Sequence, residues 1–126
     1  MLIAGLTTTN AVSNVNTSYL GPFLTTQSNE TETSVRQVVP VAGTVANLAV
    51  NLATAPGGNS WTFTIRKNGA NTAVTCKIEG GGANTSCNDA THSVTFAVGD
   101  LIALQVTPAS GPIGWGSARW AITLTQ

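Results

Sequence analysis

"SWTFTIRKNG", residues 60–69, decides the fold. In an extended chain Trp61, Phe63 and Ile65 fall on one side, and Ser60, Thr62, Thr64 and Arg66 fall on the other. Asn68-Gly69 follows, a dipeptide that readily takes the positive φ angles of a two-residue hairpin turn. The period of two predicts a half-buried strand that runs into a hairpin.

The same alternation recurs along the chain. Residues 34–42 predict a strand that Pro40 marks as an edge or a bulge. Residues 44–52 place Ala46, Leu48, Val50 and Leu52 on one face, with Asn47 and Asn51 on the other. Residues 73–79 turn Val74, Cys76 and Ile78 inward and Thr75, Lys77 and Glu79 outward. Residues 92–98 turn in Val94, Phe96 and Val98, and residues 101–109 turn in Ile102, Leu104 and Val106. Residues 118–126 bury Trp120, Ile122 and Leu124. Loops are predicted at 53–59, 80–91 and 108–117, where Gly, Pro, Asn and Ser gather. Alternation implies sheets with one covered face and antiparallel pairing. The expected architecture is all-β: an antiparallel β-sandwich, a jelly roll of about eight strands, with an eighth around Tyr19–Leu24.

Residues 1–34 read differently, as an extended N-terminal arm preceding a body at 35–126. "TTTNAVSNVNTS" and "TTQSNETETS" are polar and weakly periodic, and they flank the apolar island "YLGPFL". Such a segment does not fold alone, because it buries too little to offset its conformational entropy. Tyr19, Leu20, Phe23 and Leu24 are its expected anchors on a partner or a neighbouring subunit.

A chain of 126 residues is long enough for one domain with a real core. Charged residues make up 8%, where a typical soluble domain carries about 25%, and the five basic and five acidic side chains cancel. That balance leaves no electrostatic footprint for nucleic acid or an anionic membrane. No apolar run approaches the ~18 residues of a membrane helix, and "MLIAGL" is too short and too uncharged for a signal core. The outward positions of the predicted strands carry Thr62, Thr64, Asn47, Ala49, Asn51, Ala103, Gln105, Ala121, Thr123 and Thr125 where Lys and Glu are usual. Covering Thr or Ala costs little and covering an unpaired charge costs much, so this exterior suits contact with other protein.

Chemistry is sparse. The one histidine, His92, heads a strand beside Asp89, and a Ser-His-Asp trio can be drawn with Ser86 or Ser93, without a nucleophile elbow. No catalytic residue, metal ligand set or cofactor is expected, and no enzyme activity. Cys76 and Cys87 flank a Gly-rich loop; a disulfide closing one hairpin and a pair of reduced thiols both fit. The glycan-acceptor patterns at Asn16, Asn29 and Asn84 arise easily in a chain so rich in Asn and Thr and are expected to be idle. Trp61 and Trp120 fall on core positions. Trp115, with Ile113 beside it in "GPIGWGS", either plugs one end of the sandwich or offers a recognition loop.

"AGTVANL", "TAPGG", "WTFTIRKNG" and "FAVGDLIAL", spread over Val39–Leu124, resemble small phage virion proteins and the trimeric jelly rolls of the tumour-necrosis-factor and C1q type. The resemblance implies a homotrimer about a threefold axis, serving as a capsid decoration protein, head fibre or tail-fibre tip. It transfers no catalytic residue. The expected function is that of a structural virion protein, assembled in the host cytoplasm, whose partners are itself and the major capsid protein or another virion protein. The alternative is a receptor- or carbohydrate-binding fibre tip that takes a glycan through Trp115.

Overall fold

The computed structural model describes residues 1–8, 13–22, 28–113 and 117–126. Among the described residues nine strands form, β1 (Leu2–Thr8), β2 (Ser18–Leu20), β3 (Gln37–Val38), β4 (Gly43–Leu52), β5 (Ser60–Lys67), β6 (Ala70–Ile78), β7 (Ser86–Phe96), β8 (Leu101–Ala109) and β9 (Ser117–Thr125), together with a 3-10 turn at Glu32–Ser34. One sheet runs β1-β9-β4-β7 and the other β2-β8-β5-β6, with β3 also paired to β8. Every pairing is antiparallel. The chain changes sheets at β1/β2, β3/β4, β4/β5, β6/β7, β7/β8 and β8/β9. That alternation of layers is a jelly roll, as the periodicity predicts.

The core is built from the predicted inward positions. Trp61, Phe63 and Ile65 of β5 are fully buried, with Leu104 and Val106 of β8 beside them and Val45, Leu48, Ile122 and Leu124 from the facing sheet. Each such side chain contributes roughly 1.5–3 kcal/mol of transfer free energy. Lys67 pairs with Ala70 across Asn68 (φ 51) and Gly69 (φ 84), so the predicted hairpin forms at the predicted dipeptide. Asp100 closes the neighbouring turn by accepting the Ala97 N–H at 2.8 Å. Asn68 bridges the two turns, donating to Asp100 and accepting from the Leu101 N–H, each at 2.8 Å.

Four expectations are corrected. Residues 1–34 are not a separate arm where they are described: β1 pairs along its whole length with β9, and β2 pairs with β8. Residues 86–91, read as loop, are the first half of β7. Val98 lies beyond the end of β7 and is 68% exposed. In β4 the inward set is Val45, Leu48, Val50 and Leu52, and Ala46 is only half-buried. The cause is a bulge: Ala46 pairs with Thr123 and Ala49 with Ala121, so three steps of β4 oppose two of β9, and Asn47 sits at φ 55. Asn tolerates that left-handed conformation, which shifts the alternation by one residue. Asn47→Val should therefore lower stability by about 1–2 kcal/mol while Asn47→Gly stays close to wild type, as urea unfolding will show.

Candidate functional site

The two sheets present opposite kinds of outer surface. On the first sheet, register sets Ala46 between Thr123 and Ser93, Ala49 between Ala121 and Asn88, and Asn51 between Arg119 and Ser86. Thr44 lies between Thr125 and Thr95. These positions are exposed or half-exposed. They are small and uncharged apart from Arg119. Polar bonding on this face is local: the Asn47 side chain donates to Thr123 Oγ1 at 3.0 Å, and that hydroxyl donates to the Ala46 carbonyl at 3.2 Å. Leu2, at the β1 end of the same row as Thr123, is 65% exposed.

Part of the outer face of the second sheet, around β8 and the end of β5, is covered by its own chain, while the outward positions of β6 stay exposed. Glu32, in the 3-10 turn, receives the Arg66 guanidinium through two bonds, Nε to Oε1 at 3.3 Å and Nη2 to Oε2 at 2.9 Å. Arg66 also donates to Asn71 Oδ1 at 2.7 Å and to the Gly69 carbonyl, and it lies over the Tyr19 ring at 5.6 Å. Arg36 approaches the same carboxylate at 3.7 Å. Beneath them Ala103 and Thr64 are 1% and 9% exposed, although both were read as outward. A paired, forked Arg–carboxylate contact can be covered where a lone charge cannot.

The expected anchors divide. Tyr19 packs in this polar cover, and Leu20 is buried in the chain's own core. Phe23, Leu24 and Trp115 lie outside the described residues. Ile113 is 59% exposed, but its backbone joins the loop end of the sandwich, its N–H donating to Pro56 at 2.9 Å and its carbonyl accepting from the Trp61 indole at 3.4 Å.

Asp89 and His92 do come together. The Asp89 carboxylate is buried and accepts the N–H groups of Thr75, Thr91 and His92 at 3.0, 3.0 and 3.1 Å, while His92 Nδ1 lies 3.0 and 3.1 Å from its two oxygens. Burial pushes this carboxyl up, but the three backbone donors and the imidazole outweigh it and hold it at about 2. Thr75 belongs to β6 and the other donors to β7, so the carboxylate joins the edges of the two sheets. Cys76 and Cys87 form a disulfide between the same two strands, with Cα atoms 5.7 Å apart. Because β6 and β7 lie in different sheets, this is an inter-sheet bridge and not the closure of a hairpin. Among the described residues no three His, Cys, Asp or Glu side chains gather as a metal site. The chemistry available at Asp89 is structural: an oriented imidazole on an open surface beside a carboxylate occupied by backbone donors.

No protein-family model matches the chain, and no curated protein sequence matches it. Solved structures do. The crystal structure of murine APRIL aligns over 98% of this chain and 98% of its own, with a TM-score of 0.54 at 15% identity. The fold is a tumour-necrosis-factor-like jelly roll. At that identity the likeness concerns architecture: a similar sandwich is reached with few residues in common. It agrees with the fold half of the resemblance seen in the sequence.

Two predictions arise from the laced edge. A carboxylate whose folded pKa is depressed contributes stability that is complete above its unfolded value of 3.8 and is lost as pH falls toward 2. Asp89→Asn should cost about 1–3 kcal/mol at neutral pH and flatten the acid limb of a stability–pH curve. Reduction of Cys76–Cys87, or its replacement by serines, should cost about 2–4 kcal/mol, measured by urea unfolding with and without reductant.

Proposed function

We propose that this chain is a non-enzymatic structural protein that assembles as a homotrimer through the outer face of its β1-β9-β4-β7 sheet. The observation that carries the reading is the contrast between the two faces. One is covered in cis over β8 and the end of β5 by the Tyr19–Arg66–Glu32 cluster and carries Lys77 where it is open, while the other is a broad field of Ala, Thr, Ser and Asn with Arg119 as its charge. Charged residues are depleted at the centres of protein interfaces because each must be desolvated, and small side chains let two sheets approach closely. Threefold closure is what the tumour-necrosis-factor and C1q resemblance implies. The phage-like sequence pattern extends the proposal to a virion surface, where the chain would act as a capsid decoration or minor head protein and gain avidity from many copies. The disulfide suits a particle used outside a reducing cytoplasm.

Native mass measurement tests the assembly. Wild type should run at three times the chain mass of 12.8 kDa. Ala121→Arg, at the middle of the bare face, should release monomers that melt cooperatively, while Lys77→Glu on the other sheet should leave the mass unchanged. A wild-type monomer at micromolar concentration would overturn the trimer. Absence of the chain from purified particles would overturn the virion placement alone.

A further inference from the structure

The Asn68-Gly69 turn carries a chemical liability along with its shape. A two-residue hairpin loop of this kind needs positive φ at both positions, and here the angles are 51° and 84°. Asn and Gly are the residues that adopt such angles with least strain, so the turn all but dictates the pair. Of the chain's asparagines only Asn68 is followed by glycine. Asparagine is labile because the next backbone nitrogen can attack its side-chain amide, and a glycine leaves that nitrogen without a Cβ beside it.

The fold leaves the nucleophile free and holds the electrophile. Among the described residues no carbonyl accepts the Gly69 N–H. The Asn68 side chain is gripped at both ends: its Nδ2 donates to Asp100 Oδ1 and its Oδ1 accepts the Leu101 N–H, each at 2.8 Å. The Asn68 N–H donates to the Leu101 carbonyl at 2.9 Å, which ties the backbone to the same partner. Asp100 is itself fixed, since its Oδ2 accepts the Ala97 N–H at 2.8 Å and lies 3.3 Å from Lys67 Nζ. Arg66 holds the Gly69 carbonyl. Attack would turn the planar Asn68 Cγ tetrahedral and expel Nδ2. It would therefore displace the very atoms that Asp100 and Leu101 keep in place, and a reaction of this kind depends on the freedom to reach its attack geometry.

We propose that Asn68 is a site of spontaneous deamidation that the Asp100–Leu101 clamp holds in check, so that conversion proceeds through local opening of this turn pair. The Gly69 nitrogen loses its proton and bonds to Asn68 Cγ, and the side-chain nitrogen takes up a proton and leaves as ammonia. Water then opens the five-membered imide at either carbonyl. One product is an ordinary aspartyl residue; in the other the backbone runs through the side-chain carbon. Either exchanges the amide that donates to Asp100 for a carboxylate, which sets two like charges together. The second product also adds a backbone atom between Lys67 and Ala70, which pair across a two-residue loop. Conversion thus unlatches the hairpin from the turn that precedes β8. None of these residues lies on the outer face proposed for assembly, so the chemistry and the assembly are tested apart.

The test incubates the full chain and follows position 68 by peptide mass and by isoaspartyl methylation. Folded wild type should convert about tenfold or more slowly than the same chain unfolded in urea, because only the open population reacts. Asp100→Ala removes the acceptor of the Asn68 amide and should bring the folded rate up toward the unfolded one. Asp89→Asn loosens the fold at the other edge and controls for global unfolding; it should convert at the wild-type rate. Asn68→Asp, the ordinary product, should speed amide exchange at Leu101 and Ala97 while the cooperative melt is kept. Conversion of folded wild type at the unfolded rate would overturn the inference. So would an Asp100→Ala variant as slow as wild type, an Asp89→Asn variant as fast as Asp100→Ala, or unchanged exchange at Leu101 and Ala97 in Asn68→Asp.

Discussion

Mutual burial of two alternating strand faces is the constraint on which the molecule rests. β5 sets Trp61, Phe63 and Ile65 against Leu48, Trp120 and Ile122 of the opposite sheet, and little else in so uncharged a chain can offset the entropy of ordering it. Everything at the surface is arranged around keeping those layers in register. The bulge at Asn47 is one consequence, since an added residue in β4 is tolerated only because Val45 and Leu48 both still reach the core. Gly5 is another: a Cβ there would come within 2.3 Å of the Trp120 indole nitrogen, so the edge strand lies close over the large core side chain only without one.

A sandwich of open sheets then has edges and outer faces to manage, and this one manages them unequally. The disulfide and Asp89 hold β6 to β7 across the gap between layers, where no ladder can form. The Glu32–Arg66–Tyr19 cluster roofs part of one outer face. The other face is left small and, apart from Arg119, uncharged. A protein surface with those properties is suited to permanent contact, because Ala and Thr cost little to dehydrate. The proposed assembly role grows out of that asymmetry and not out of any reactive group.

Much of this was legible in the residues. The hairpin at Asn68-Gly69 and the core status of Trp61 and Trp120 follow from local preferences that operate within a few residues. The places where the reading failed are those where distant segments decide. Leu2–Thr8 looks like a featureless start, interrupted by glycine, and becomes a strand only because β9 supplies a ladder for it. Leu20 looks like an anchor for a partner and is taken by the core. Ser86–Thr91 reads as loop because it continues a Gly-, Asn- and Ser-rich run, yet β4 pairs with Ser86–Asp89 and holds it extended.

The sequence by itself determined the class of object: a low-charge, all-β sandwich with its inward residues nearly in place, because side-chain alternation is a local property of an extended chain. Only the tertiary structure decided which cysteine neighbour lies in which sheet, and which outward residues are roofed and which are bare. Those are questions of which strands meet, and pairing between strands far apart in the chain is fixed by the packed whole.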